Sequence, residues 1–234
     1  FESIEEMLEV VDAVLLESVD GRRHLKEAEP VLKSGKPVFI DKPFTTSYSD
    51  AKKIAQLAEK YRCPVFSCSP LRFDANISRV RNSGEPGRIF GCDSFSSESR
   101  VSAMPGFFWY GIHGIEILFS VMKTGCQSVE VINSESADIA VGLWKDGRIG
   151  VYRGIKQGEA SYGMTVFGEK KVIHTTYNPD IPMYSMLIKE IMKFFQTKIA
   201  PFPIEETLEI VAFMDASLIS EKEKRPVLLE EVTK

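Results

Sequence analysis

Two short segments place chemically capable side chains where a fold could aim them. The first is Asp41-Lys42-Pro43, directly after the apolar run PVFI at 37–40. A lysine held at a strand end and partly desolvated can stabilise a developing alkoxide and pass a proton, because burial lowers its pKa towards that task. A proline behind it fixes the backbone, so that the lysine is aimed. The plain alternative is a solvated lysine at a strand end. The second segment is 110–122, where helical spacing puts His113, Glu116 and Ser120 on one face and Ile112, Ile115, Phe119 and Met122 on another. A His-x-x-Glu pair can ligate a metal, but no further ligand cluster accompanies this one, and no metal is expected. The alternative for His113 is a histidine hydrogen-bonded inside a domain interface.

The elements that must position these residues can be read from the pattern. Residues 3–9 suggest a short helix capped by Ser3, with Glu6 three positions on. Residues 10–16 (VVDAVLL), 37–40 (PVFI) and 64–68 (PVFSC) are short apolar runs expected as strands buried on both faces of a parallel sheet. Helices over 22–33, ended by Gly35, and over 47–61 separate them. Strand and helix alternate, which implies βαβ units with right-handed crossovers. Ligands of such sheets sit at the carboxyl ends of the strands, which directs attention to Glu17-Ser18, Asp41-Lys42-Pro43 and Ser69-Pro70.

Beyond about residue 71 the pattern changes. A helix near 75–83 ends at Gly84-Glu85-Pro86-Gly87, and strand-like segments then dominate, with a hairpin signal at 145–148. Helices are expected over 111–122, 183–197 and 205–223. The expected fold class is α/β plus α+β: a partial parallel sheet in residues 1–70, then a domain over 71–234 whose mostly antiparallel open sheet is covered by helices on one face.

Composition removes several classes of function. The formal net charge of -4 argues against nucleic acid as a partner. No apolar run approaches the ~20 residues that span a bilayer, so no membrane is expected. Cys63, Cys68, Cys92 and Cys126 form no CxxC pair, and buried reduced thiols in a cytoplasmic protein are the expectation. The sequence begins at Phe1, from which we expect an absent upstream piece that could hide an export signal.

The order of the elements resembles the Gfo/Idh/MocA family of oxidoreductases. The resemblance is carried by VDAVLLESVDGRRH at 11–24, GKPVFIDKPFTTS at 35–47, the SPLRF and GEPGRIFG stretches, YGIHGIE at 110–116 and the ending EKEKRPVLLEE. It implies a Rossmann-like first domain and NAD or NADP as cofactor. It further implies a substrate that is a sugar, cyclitol or related polyol oxidised at a secondary hydroxyl, and a homo-oligomer built through the second-domain sheet. By this resemblance Asp41-Lys42-Pro43 stands for the family's Glu-Lys-Pro signature, with Lys42 beside the nicotinamide and the substrate hydroxyl and Asp41 near the nicotinamide ribose. His113 matches a family histidine that reaches the substrate. The aspartate that often precedes it by four residues is replaced by Trp109, so Tyr110 or Glu116 is expected to supply a second polar group if Lys42 and His113 do not act alone. Phe107, Phe108, Trp109 and Tyr110 are candidates for a wall against a sugar's C–H face, although aromatics are more often core. Glu17, Ser18 and His24 are assigned to the cofactor side, with a simple helix-terminal role equally open for His24. Arg72 is assigned to the substrate side, with a structural salt bridge as its alternative.

The family's glycine fingerprint, GxGxxG, occurs nowhere in these 234 residues. Its glycines let the backbone approach a pyrophosphate, and about 60 to 70 residues of a normal Rossmann half would carry it. The expectation is therefore a fragment that binds little or no cofactor by itself, with the remaining strands showing an apolar flank. Two alternatives stand beside the dehydrogenase: an inactive relative serving as a binding or assembly domain, and an NAD-dependent epimerase or glycosidase with no net redox change.

Overall fold

The computed structural model describes residues 1–101 and 104–234. Its first layer is a parallel sheet of β1 (Val14–Leu16), β2 (Val38–Ile40) and β3 (Val65–Phe66), in the order β1-β2-β3. Helix α1 (Ile4–Leu8) starts where expected: Ser3 Oγ accepts the Glu6 N–H at 3.1 Å. Helix α2 (His24–Ser34) stops at Gly35, whose φ of 71° an L side chain rarely adopts. Helix α3 (Tyr48–Tyr61) is capped by Ser47, a contact worth about 1 kcal/mol. Its Ala51, Ile54 and Ala58 are buried, as the spacing requires.

One expectation about this sheet fails. The run 10–16 is not a strand throughout; only Val14–Leu16 pairs, while Val10 is 69 % exposed and Leu15 51 % exposed. β1 is the edge strand of the sheet. The register Leu15↔Phe39↔Phe66 places Leu15 on the same face as two buried phenylalanines, but nothing comparable covers it. The cover over Phe39 and Phe66 comes from far along the chain. Leu187, Ile191 and Phe194 of helix α6 (Met183–Thr197) pack on them, with Phe66 and Phe194 edge to face at 4.7 Å between centroids.

A 3-10 turn at Pro70–Phe73 and helix α4 (Ala75–Asn82), capped by Asp74, lead out of the first layer. The second sheet has seven strands in the order β10-β5-β6-β7-β4-β8-β9. They are β4 (Ile89–Ser97), β5 (Cys126–Asn133), β6 (Ala137–Trp144), β7 (Ile149–Ile155), β8 (Gly163–Gly168), β9 (Val172–Thr176) and β10 (Val227–Leu228). Only the β4–β7 pair is parallel. Helix α5 (Gly111–Met122) and helix α7 (Ile204–Glu223) lie on one face, and α8 (Glu230–Thr233) closes the chain. At Gly114 helix α5 runs so close to the sheet that an added Cβ would sit 2.4 Å from the Tyr152 ring.

An open sheet could expose Trp144, Val151 and Tyr152, with burial under the helices as the ordinary reading, and for two of them burial is what is found. Trp144 and Tyr152 are 1 % and 0 % exposed under the helices, and Trp144 Nε1 donates to the Lys123 carbonyl at 2.8 Å. The strand alternation sends them inward and leaves Ile132, Leu143, Ile149, Phe167 and Val172 on the open side. Among the described residues no helix is long and apolar enough to cross a membrane.

Candidate active site

Lys42 is the first residue of its segment released from the sheet. The Asp41 N–H still bonds the Leu16 carbonyl across β1–β2 at 2.9 Å, so Lys42 leaves from the carboxyl edge as the topology requires. Its Nζ crosses to the second layer, donates to the Trp109 carbonyl at 3.3 Å, and lies 5.1 Å from the Trp109 ring centroid and 5.6 Å from that of Tyr110. Burial pushes the Lys42 pKa below the usual ammonium range, against the opposing pull of the Asp41 charge. Asp41 is held above the usual carboxylate range, first by its own burial and also by the nearby Glu17 charge. The Lys42–Pro43 peptide is cis.

His113 stands in the first turn of α5, buried at 7 % exposure. Its Nδ1 lies 2.7 Å from Ser69 Oγ, at the end of the segment that follows β3. Burial first, and the Lys42 charge second, push its pKa down to about 3. The ring is met edge-on by Tyr110 at 5.7 Å and Tyr162 at 6.0 Å. Two strand ends of the first sheet and the N-terminus of α5 thus converge on one spot.

Three tyrosines complete the surround, and sequence reasoning missed them. Tyr162 meets Tyr177 edge-on at 5.7 Å. Tyr184, near the start of α6, has its phenol pKa raised by burial and then by the nearby Asp41 and Glu17. A single tyrosine beside a strand or in a helix carries no positional signal, so nothing in the sequence could have found them. The aromatic run splits in two: Phe107 and Phe108 are core, at 2 % and 0 % exposure, while Trp109 and Tyr110 line the cleft.

Several assigned residues are committed elsewhere. Both ring nitrogens of His24 are taken, Nδ1 by the Phe44 carbonyl at 3.1 Å and Nε2 by the Ser18 carbonyl at 2.7 Å. The side chain is 0 % exposed and ties the loop after β1 to the loop after Pro43, with no polar atom left for a cofactor. Ser18 Oγ donates to Glu27 Oε2, so its hydroxyl is also engaged. Arg72 and Glu116 do not reach the cleft. Arg72 Nε donates to Glu116 Oε2 at 2.7 Å and its Nη2 to Glu206 Oε1 at 2.5 Å, and all three residues are buried. The arginine is held by this triad and stacks near the Phe202 ring, 3.9 Å away. Glu17 is exposed at the β1 end, and Pro43 is buried behind the lysine. Among the described residues no group of three or more His, Cys, Asp or Glu side chains is arranged to hold a metal.

The fold is that of two-layer dehydrogenases whose structures are solved. A probable dehydrogenase from Thermotoga maritima superposes with a TM-score of 0.83 at 20 % identity, over 99 % of this chain and 84 % of that one. The scyllo-inositol dehydrogenase of Lactobacillus casei, solved with NAD(H) and scyllo-inositol, gives 0.83 at 15 % identity, over 98 % and 84 %. Myo-inositol 2-dehydrogenase from Lactobacillus plantarum gives 0.82 at 12 %, over 97 % and 84 %. Residues 1–68 match the model of the GFO_IDH_MocA family, the oxidoreductase family with an NAD-binding Rossmann fold, and the resemblance drawn from the sequence is borne out. Comparison with curated proteins finds no match.

Proposed function

We propose that this polypeptide forms the nicotinamide-facing and substrate-facing side of an NAD(P)-dependent oxidoreductase acting on a secondary hydroxyl of a sugar, cyclitol or related polyol. The observation that carries the reading is the meeting of Lys42, at the carboxyl end of β2, with Trp109, Tyr110 and His113 at the start of α5. A desolvated amine can take the hydroxyl proton near neutral pH, and a buried imidazole beside it can hold the substrate oxygen. Trp109 and Tyr110 present faces to a ring's C–H surface.

The residues fit the nicotinamide half of a dinucleotide. Asp41 offers a half-buried carboxylate for ribose hydroxyls at the end of β2, and Glu17 lies nearby. When bound, the nicotinamide supplies the hydride acceptor. The pyrophosphate has no glycine loop within these residues, so NADH affinity of the 234-residue polypeptide is expected to be weak. Micromolar binding in a fluorescence titration would count against that expectation. The function itself is tested by NAD(P)-dependent oxidation of a panel of inositols and aldoses, with the chain supplied alone and joined to a GxGxxG-bearing βαβ half. Activity that survives Lys42→Ala would overturn the reading.

A second reading rests on Trp109. Its indole covers the Lys42 ammonium where the family often has an aspartate, an arrangement that also suits a domain that binds a ligand without turnover. Substrate binding by calorimetry with no activity on any polyol would favour it. An epimerase or glycosidase route would instead show product with only catalytic NAD. The open face of the second sheet suits self-association, and we include a homo-oligomer in the proposal.

A further inference from the structure

Ser69 has a fully determined hydrogen-bond inventory. Its Oγ lies 2.7 Å from His113 Nδ1 and accepts the Leu71 N–H at 3.2 Å; among the described residues the hydroxyl has no other partner. A serine hydroxyl carries one proton and two acceptor positions. If His113 carried its hydrogen on Nδ1, Oγ would accept twice and its own proton would point at nothing. The residue is 0 % exposed, and an unmet buried donor costs about 1–3 kcal/mol. With the hydroxyl donating to a bare Nδ1, the serine proton and Nδ1 are both used, and Nε2–H is left for the cleft.

The serine is also held in place. The Arg72 N–H bonds the Ser69 carbonyl at 3.2 Å, and the Arg72 side chain is gripped by Glu116. The ion triad that fails to reach the cleft therefore fixes the residue that orients the cleft's histidine.

We propose that Ser69 is a positioning residue that fixes His113 as the neutral tautomer with its hydrogen on Nε2, so that His113 serves as a hydrogen-bond donor and Lys42 alone moves the substrate proton. Burial acts in the same direction by keeping the ring uncharged. The catalytic part rests on the proposed function. There, Lys42 Nζ would take the substrate O–H proton, and the nicotinamide, when bound, would supply the acceptor for the carbinol hydride. The carbonyl oxygen that remains keeps its hydrogen bond from Nε2–H. The tautomer assignment needs neither cofactor nor substrate.

The experiment is long-range proton–nitrogen NMR of the ¹⁵N-histidine-labelled chain, with His113→Asn used to assign the ring among the three histidines. The expected spectrum at pH 7 shows a protonated Nε2 and a bare Nδ1, unchanged down to pH 5. Ser69→Ala should mix the tautomers and Ser69→Thr should restore the single form. A hydrogen on Nδ1, an imidazolium at pH 7, or a Ser69→Ala spectrum like the parent would overturn the assignment. Should Ser69→Ala fail to fold, the parent and Ser69→Thr spectra decide. In an active form, Ser69→Ala should lower kcat at least tenfold with little change in KM, and Ser69→Thr should recover it. The expected tautomer with no NAD-dependent turnover would remove the proposed function and leave the role of Ser69 standing.

Discussion

Lys42 Nζ and Trp109 are in contact twice, through the indole face at 5.1 Å and through the backbone carbonyl at 3.3 Å. The lysine at the end of β2 is thereby seated on the entry to α5, and among the described residues no carboxylate is within ion-pair distance of its ammonium. A cation over an aromatic face is attracted without being neutralised by a full charge.

Replacing the indole by a carboxylate should change the lysine's titration. An opposite charge favours the ammonium, so Trp109→Asp should raise the Lys42 pKa by about 1 unit or more, whereas Trp109→Phe should move it little. Carbon NMR of the reductively ¹³C-methylated protein, with Lys42→Arg for assignment, measures this directly. Identical titration in Trp109→Asp and the parent would show that the ring does not control this amine.

The buried triad should be costly to break from its centre. Arg72→Met leaves Glu116 and Glu206 without the cation they share, with only Lys123 Nζ at 3.9 Å from Glu206, and removing one partner of a buried pair typically costs about 3–5 kcal/mol. Adding Glu116→Gln and Glu206→Gln should recover part of that loss. Urea unfolding gives the comparison, and a triple variant no more stable than Arg72→Met would mean that the carboxylates are not the source of the cost.

Glu98 should make stability pH-dependent. It is buried, Tyr152 donates to its Oε2 at 2.9 Å, and burial raises its pKa from 4.5 to about 7 despite that bond and the nearby Arg100. The folded state then binds more protons than the unfolded one between those values, so this group's stabilisation is complete below about pH 4.5 and is lost as pH rises through 7. The difference amounts to at most ~3 kcal/mol. Glu98→Gln should flatten the fall between pH 5 and 8, read as urea midpoints against the parent; a parallel fall in both proteins would exclude Glu98 as its origin.

The open sheet face offers a test of assembly. Val141 and Val151 are cross-strand partners on that face, in the middle of the group that includes Leu143 and Ile149. Sedimentation should show the parent as a dimer or larger, and Val151→Lys as a smaller species with unchanged circular dichroism. A parent that sediments as a monomer at high concentration would remove the homo-oligomer from the proposal.

Much of the scaffold was legible because its signals are local. Ser3, Ser47 and Gly35 mark helix ends through their own backbone and side-chain chemistry, and the alternation in β5 to β9 states which side chains turn inward. Lys42 was legible because a strand end in a parallel sheet is a defined place. Leu15 was misread because an apolar run looks the same on a covered strand and on an edge strand. Arg72 was assigned to substrate because its two carboxylates come from 44 and 134 residues away, and no local pattern reports such a pairing. Ser69 was in view as a strand-end residue, but its meeting with His113 depends on how the second sheet is laid against the first.

The packing of α6 over Phe39 and Phe66 sets an order of events. During synthesis the strand bearing Lys42 leaves the ribosome more than a hundred residues before Leu187, Ile191 and Phe194, and domains tend to fold as units from the N-terminus. This one cannot finish that way: both phenylalanines stay uncovered until α6 has emerged. Premature termination anywhere before α6 would leave an aromatic surface for chaperones and proteases to recognise, and such products are expected to be cleared rather than to accumulate as half-built sites.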